Sequence, residues 1–253
     1  MSGAPSRYNM DTRDREIFSN LTIFPPVFVR LDGRAFHRLA RSRNLKKPFD
    51  PAFNESMRAV CRYLLTESGL APIFAYTFSD EISLYFSTLP FSGRVEKLDS
   101  VTAAAAASKL TIELGCTEPL AFDARTIPAA GEFAIEYLVS RQNEAWRNHI
   151  NAYCQNALVE EGMTPRQAAA ALRGMRSEAM HEMMFERGVN LAATPAWQRR
   201  GTLLYRDECI KEGYNPLTGE TVEAVRACIQ EPEETPLFST PEGIALIRSL
   251  TGA

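Results

Sequence analysis

The chain has 253 residues, 45% of them hydrophobic and 23% charged, with a formal net charge of −3. That length suits one large domain or one and a half, with a core that needs neither disulfide nor metal to hold it. The balance excludes wholesale disorder, no apolar run approaches the ~20 residues of a membrane span, and the polar start MSGAPSRYNMDTRDRE lacks the apolar stretch of a secretory signal.

In chain order, residues 1–24 read as an N-terminal arm with a short helical piece at 15–21, punctuated by Pro25-Pro26. Val27 to Leu31 is nearly continuous in apolar residues, which predicts a strand buried on both faces and stopping at Asp32-Gly33. Asp50-Pro51 is a helix start, and Phe53, Met57, Val60 and Leu64 follow at helical spacing towards Ser68 and Gly69. Two strands, Pro72–Phe78 and Ile82–Phe86, form a hairpin across Ser79-Asp80-Glu81. Val95 to Leu114 is a helix built on the Ala103–Ala107 run, and Ala121 to Ile127 is a fourth strand closed by Pro128.

The order β-α-β-β-α-β predicts an α+β, ferredoxin-like fold, an antiparallel sheet with two helices on one face. Further helices are expected at 131–160, 165–173 and 175–187, then a late strand or β-hairpin from Thr202. The proline-punctuated tail, 207–253, reads as irregular with short helices. Five cysteines (Cys61, Cys116, Cys154, Cys209, Cys228), odd in number and without a CxxC pair, read as reduced thiols of a cytoplasmic protein.

Charge is unevenly placed. Arg30 to Lys47 holds seven basic residues and one acid, whereas Asp207 to Glu234 holds eight acids and two bases. An acidic total therefore hides a local anion site. Asp32 at the end of the first strand and Asp80-Glu81 at the hairpin tip converge if their strands are neighbours. Two aspartates with the Gly33 carbonyl form a hard oxygen site suited to Mg2+. Two such ions can activate an attacking oxygen and steady a pyrophosphate leaving group, as in polymerase and cyclase palms. Backbone amides over Gly33, Arg34, Ala35, Phe36 and His37 can cradle phosphates, and Lys47 can neutralise a triphosphate. Phe36 reads as core ahead of a base-stacking residue. On the 138–158 helix, Trp146, Ile150, Tyr153 and Ala157 share a core face, and Asn143, Arg147 and Asn151 a polar one. His149 lies at the edge, where a buried histidine competes with a substrate contact. Arg199-Arg200 suit an RNA backbone or an exposed loop equally.

Arg30-Leu31-Asp32-Gly33-Arg34-x-Phe36-His37, Lys47-Pro48-x-Asp50, Ser79-Asp80-Glu81 and Phe122-Asp123-x-Arg125 resemble the tRNA-histidine guanylyltransferase family and its archaeal and bacterial -like proteins. So do Arg141-Gln142, Arg147-Asn148-His149-Ile150-Asn151 and Arg200-Gly201-Thr202, over roughly residues 10–206. The resemblance implies a transferase that grows tRNA at its 5′ end, 3′ to 5′, after activating the 5′ phosphate with ATP or GTP. It implies two Mg2+ ions on Asp32, Gly33 and Asp80, with nucleotide held by residues 32–37, Ser79 and Asp80. Lys47 falls near the triphosphate, Asp50 near the activating base and Glu81 beside the metal site. Arg147, His149, Asn151, Arg199 and Arg200 are the RNA candidates, and the family forms dimers or dimers of dimers. On this reading residues 1–130 are the palm catalytic domain with its arm, and 131–253 a helical region and C-terminal extension packed on it as one unit. Where the eukaryotic group reads His-Ile-Asn-Asn-Leu-Tyr-Asn, this chain has His149-Ile150-Asn151-Ala152-Tyr153-Cys154-Gln155, which favours templated 5′-end repair over addition of one untemplated G. Two competing readings are a palm-fold cyclase or cyclic-dinucleotide synthase, and a non-catalytic RNA-binding module. Neither accounts for all the motifs: no GGDEF-like signature is present, and strand-end acids without metal would repel RNA.

Overall fold

Val27, Val29 and Leu31 on one face of the first strand, and Phe28 on the other, leave that strand no side for water. A computed structural model describes residues 16–215 and 219–252. It places this strand, β1 (Val27–Gly33), inside a sheet next to β3 (Glu81–Phe86) and β4 (Phe122–Pro128). β2 (Phe74–Phe78) pairs with β3, and β5 (Thr202–Asn215) joins β2 on its far side. With β6 (Glu220–Gln230) the order is β4-β1-β3-β2-β5-β6, antiparallel throughout. The four palm strands thus have the expected ferredoxin-like order, and the late hairpin extends it.

One face of the sheet carries α2 (Pro51–Thr66) and α3 (Val95–Glu113). Asp50 caps α2, its carboxylate accepting the Phe53 N–H with Pro51 at the first helical position. Met57, Val60, Cys61, Leu64 and Leu65 then fall on one stripe and pack against Val29, Leu31 and Leu84. The other face carries α4 (Phe133–Glu160) and α8 (Pro241–Thr251), which cover Phe28, Phe74, Tyr76 and Tyr85. α4 is 28 residues long, and only its first half lies on the sheet. Its second half, from Ile150, builds a separate core with α5 (Pro165–Leu172) and α6 (Ser177–Glu186). A short helix follows β1, α1 (Phe36–Ser42), and another, α7 (Ala196–Arg200), precedes β5. No helix among the described residues is long and apolar enough to cross a membrane.

Three local expectations change. β1 runs two residues past its expected stop, because Asp32 and Gly33 still pair with β4. The piece expected to be helical at 15–21 is a run of turns over 17–20, and Arg15 lies outside the described residues. The tail expected to be irregular holds the long β5–β6 hairpin and α8. The hairpin leaves the sheet after Tyr205, so Ile210 and Val225 face each other across it while staying exposed. A ribbon without a covering layer has no buried face, and so no alternating pattern for the sequence to display.

One side chain of α4 holds the C-terminal segment at two points. Gln142 of α4 is buried, accepts the Phe238 N–H (2.8 Å) and donates to the Pro236 carbonyl (2.9 Å). Gln142→Leu would strand both backbone groups, each costing about 1–3 kcal/mol. Urea unfolding should show the variant less stable by about 2–4 kcal/mol, and stability within 0.5 kcal/mol of the parent would refute the tie.

Candidate active site

Strand register builds the site. Asp32 lies directly opposite Glu81 on β3 and Asp123 on β4, so three carboxylates share one row on the α4 face. The next row on that face holds Arg125, Arg30 and Ser83. The β2–β3 turn is only Ser79-Asp80, and the Gly33 N–H donates to the Asp80 carbonyl at 3.1 Å, which pins that turn to the end of β1. Burial raises the Asp80 pKa. The Ser79 hydroxyl, 3.0 Å from its carboxylate, works against that rise, and the Asp32 charge adds to it.

Glu81 is held differently. Arg141 of α4 grips both its oxygens, Nε to Oε1 at 2.7 Å and Nη2 to Oε2 at 2.9 Å, and lies over the Phe78 ring. Burial still raises the Glu81 pKa, against the lowering effect of Arg141. No salt bridge reaches Asp32 or Asp80 among the described residues, so Arg141 leaves these two acids facing one another. Nor do three or more His, Cys, Asp or Glu side chains among the described residues cluster as a metal cage. A magnesium site does not require one: it takes one or two carboxylates and completes its shell with water and substrate phosphates. Asp32, Asp80 and the Gly33 carbonyl are hard oxygen donors that fit this pattern.

Beside the acids opens a cleft of about 520 Å³. One wall comes from the chain between β1 and α2: Gly33, Ala35, Phe36, His37 and residues 45–50. Ser79 and Asp80 reach it from the turn, and α4 and α7 supply the opposite wall. Ala35 (φ 61°) and Ser79 (φ 51°) both hold left-handed backbone without being glycine, strain of the kind that collects at functional sites. Gly33 is needed for space, since a Cβ there would lie 2.7 Å from the Phe36 ring.

The sequence-derived residues divide by what they touch. Gly33, Ala35, His37, Lys47, Ser79 and Asp80 line the cleft, and Asn151 faces them from α4. Asp32 and Arg34 sit outside the lining, Asp32 beside Asp80 and Arg34 exposed. The Gly33 and Arg34 N–H groups already bond the Asp80 and Ala121 carbonyls, so the phosphate cradle narrows to 35–37. Phe36 is core, edge-on to Phe53 and Phe122, although its ring borders the cleft. Asp50 uses both oxygens locally, accepting the Lys46 N–H (2.8 Å) and the Phe53 N–H (3.0 Å), which folds residues 46–50 into the wall. Burial opposes its ionisation, but those N–H bonds keep its pKa low. His149 corrects the RNA assignment: it is fully buried, stacked on Trp146 and bonded through Nε2 to Thr194 at 2.8 Å. Arg199 and Arg200 lie in α7 and not in a loop, bonded to the Thr194 and Thr235 carbonyls. Arg147 is exposed and paired with Glu144. The sequence reading missed most of the α4–α7 wall, including Gln155, Trp197 and Gln198. Helical spacing marks a polar stripe there but does not say what it faces.

Comparison with known proteins speaks to the family and the fold. A family model described as tRNAHis guanylyltransferase (Thg1) matches residues 11–130, and one described as the Thg1 C terminal domain matches 134–235. A probable tRNA(His) guanylyltransferase of Drosophila melanogaster is 31% identical over 202 residues, covering 75% of this chain and 70% of that protein. The Mus musculus counterpart is 30% identical over 190 residues, and the match spans 63% of its length. A bacterial Thg1-like protein solved in complex with ATP has the same fold, with a TM-score of 0.74 at 23% identity over 96% of this chain and 97% of that one.

The buried histidine has a measurable consequence. Burial, with the charges of Arg199 and His181 adding to it, holds the His149 pKa down to about 4. Between pH 6.5 and about 4 the unfolded chain binds a proton at this ring that the folded protein does not. The stability is therefore whole above pH 6.5 and drains away as pH falls towards 4, by on the order of 3 kcal/mol. His149→Phe should flatten this limb of a stability–pH curve, and an unchanged slope would contradict the buried, neutral ring.

Proposed function

We propose, for a chain that belongs to the tRNAHis guanylyltransferase family, that it extends the 5′ end of tRNA in the 3′-to-5′ direction, copying the opposite strand. The observation that carries the reading is the pairing of Asp32 with Asp80, two acids without a cationic partner among the described residues, at the edge of a cleft bordered by Lys46 and Lys47. The 5′ phosphate is activated by ATP or GTP, or arrives as a triphosphate. The 3′ hydroxyl of an incoming nucleotide attacks the terminal α-phosphorus, a phosphodiester forms, and a nucleoside monophosphate or pyrophosphate leaves. Asp32, the Gly33 carbonyl and Asp80 would hold two Mg2+ ions, which supply positive charge to the attacking and leaving oxygens. Lys46, Lys47 and the N–H groups of 35–37 hold the triphosphate. Glu81, tied to Arg141, is a positioning residue that keeps the end of β3 in register with Asp32. Bacterial Thg1-like proteins solved with GTP and with ATP support nucleotide binding in this fold.

Templated addition is supported by the departure at 152–155. Ala152 and Gln155 replace asparagines of the eukaryotic pattern, and both line the cleft. Assembly as a homo-oligomer is supported by the free edge of β4 and by the exposed Phe18 and Leu21, which with Phe122 border a shallow apolar hollow beside it. The same reading puts the protein in the cytoplasm, with the tRNA it acts on.

A tRNA lacking its first 5′ nucleotide, incubated with labelled nucleoside triphosphates and magnesium, tests the proposal. Asp32→Ala and Asp80→Ala should each cut addition to below about one thousandth while leaving the fold intact, because a lost anionic ligand at the reacting phosphate has no substitute. Near-normal turnover by either variant would remove these acids from the site. Changing the base opposite the gap should change which nucleotide is added, and equal addition of G against every opposing base would refute templating.

A further inference from the structure

Lys46 and Lys47 sit on the loop that joins α1 to α2, and both are exposed. Adjacent cations repel, so a loop that presents two of them to a cleft needs an anchor to keep them there. Among the described residues no salt bridge engages either lysine. Asp50, the acid of this loop, spends its oxygens on the N–H groups of Lys46 and Phe53.

The anchor on the far side is a ring. Phe49 crosses the cleft to α4 and α7 and meets three aromatic side chains there. It is stacked on His149 with centroids 5.9 Å apart, tilted against Tyr153 at 6.0 Å and edge-on to Trp197 at 6.0 Å. The socket is itself tied down: His149 is fully buried and bonded to Thr194 at 2.8 Å, and the Tyr153 hydroxyl lies 2.6 Å from Gln198. The loop is thereby held at two points, by Asp50 at the start of α2 and by Phe49 across the cleft. That the second anchor carries no charge matters. A carboxylate at this position would pair with the lysines and compete with a phosphate, whereas a ring fixes the loop and leaves both charges unspent.

We propose that Phe49 is a positioning residue: seated among His149, Tyr153 and Trp197, it holds Lys46 and Lys47 at the cleft, ready for the triphosphate of the bound nucleotide. This rests on the reading of the two lysines as triphosphate holders. The ring acts through them, by sparing the nucleotide the cost of ordering the loop when it binds.

A double-mutant cycle tests this, with GTP dissociation constants measured by equilibrium dialysis on the full chain with magnesium. Phe49→Ala should weaken GTP about tenfold, the cost of ordering a freed loop and two long side chains at each binding event. In a Lys46→Ala/Lys47→Ala background the same change should cost less than about twofold, because no lysine is left there to place. Phe49→Tyr keeps the ring and should stay within about twofold of the parent. If the alanine variant does not fold, Phe49→Leu takes its place in the cycle, since it keeps apolar bulk and loses the ring contacts. Equal losses in the two backgrounds would show that the ring supports the fold or meets the nucleotide itself, and would overturn the proposal, as would full GTP affinity in Phe49→Ala. A Lys46→Ala/Lys47→Ala chain that binds GTP as the parent does overturns the triphosphate reading of the lysines and the role of Phe49 with it.

Discussion

Carboxylates on neighbouring strands repel, and most of this structure is arranged around one place where that repulsion is kept. Asp32, Glu81 and Asp80 come together at the end of β1 and β3, partly buried, where the Asp32 charge makes Glu81 and Asp80 harder to ionise. Full neutralisation would relieve the strain and abolish the reason for a cation to bind. The protein neutralises one acid only. Arg141 takes Glu81 with two hydrogen bonds, and Asp32 and Asp80 remain for a ligand. That choice fixes α4: its guanidinium meets β3 only if the helix lies across this face. One turn earlier Tyr137 bonds Ser83 at 2.9 Å and stacks on Phe28 with centroids 4.2 Å apart.

The cleft then follows from the length of α4. At 1.5 Å per residue its 28 residues run about 42 Å, longer than the sheet it covers. Its contact with the sheet core ends at Ala145, and the core with α5 and α6 takes over from Trp146 and Ile150 onward. Between these two cores the helix passes the β2–β3 turn, with Asn148 on the open side and His149 packed against Trp146 and Thr194. The space left is the cleft, walled on one side by Asn148, Asn151 and Gln155 and on the other by the loop that Asp50 folds back. The same helix thus sets the acids through Arg141 and shapes the cleft wall about two to four turns later.

What was legible in the sequence was whatever depends on a single strand or a short turn. The four palm strands, the Asp50 cap and the Ser79-Asp80 turn each have local signals: continuous apolar residues, a capping pair, a short polar interval. The acid cluster was legible because the topology makes β1 and β3 neighbours. Contacts between distant elements were not. Nothing near Arg141 announces Glu81, 60 residues away, and nothing near Tyr153 announces Gln198, 45 residues away. His149 illustrates the same gap from the other side. Its position at the edge of an apolar stripe left core and substrate contact level, and the decision came from Thr194 and the rings of Trp146 and Phe49. The β5–β6 hairpin escaped for a different reason, its exposure on both faces.

The charge distribution acquires an orientation only in three dimensions. α1 continues from the end of β1, two strands from the β5 side of the sheet, and keeps Arg34, Arg38 and Arg41 exposed near Lys46 and Lys47. Arg43 is exposed as well, with its guanidinium bonded to the Leu114 carbonyl at 2.6 Å. Most of the acids of 207–234 sit instead on the hairpin at the opposite edge of the sheet. A polyanion therefore meets attraction beside the carboxylate site and repulsion at the far edge, although the sum over the chain is −3. Arg200 lies 3.8 Å from Glu234, which offsets part of its charge, whereas Arg199 bonds the neutral Thr194 carbonyl and keeps its own. Each phosphate neutralised on the α1 side would add roughly −0.7 to −0.9 to the slope of log affinity against log salt. Under the proposed function, specificity for an RNA end, as opposed to any RNA, rests with the cleft, at whose edge Asp32 and Asp80 have no cationic partner among the described residues.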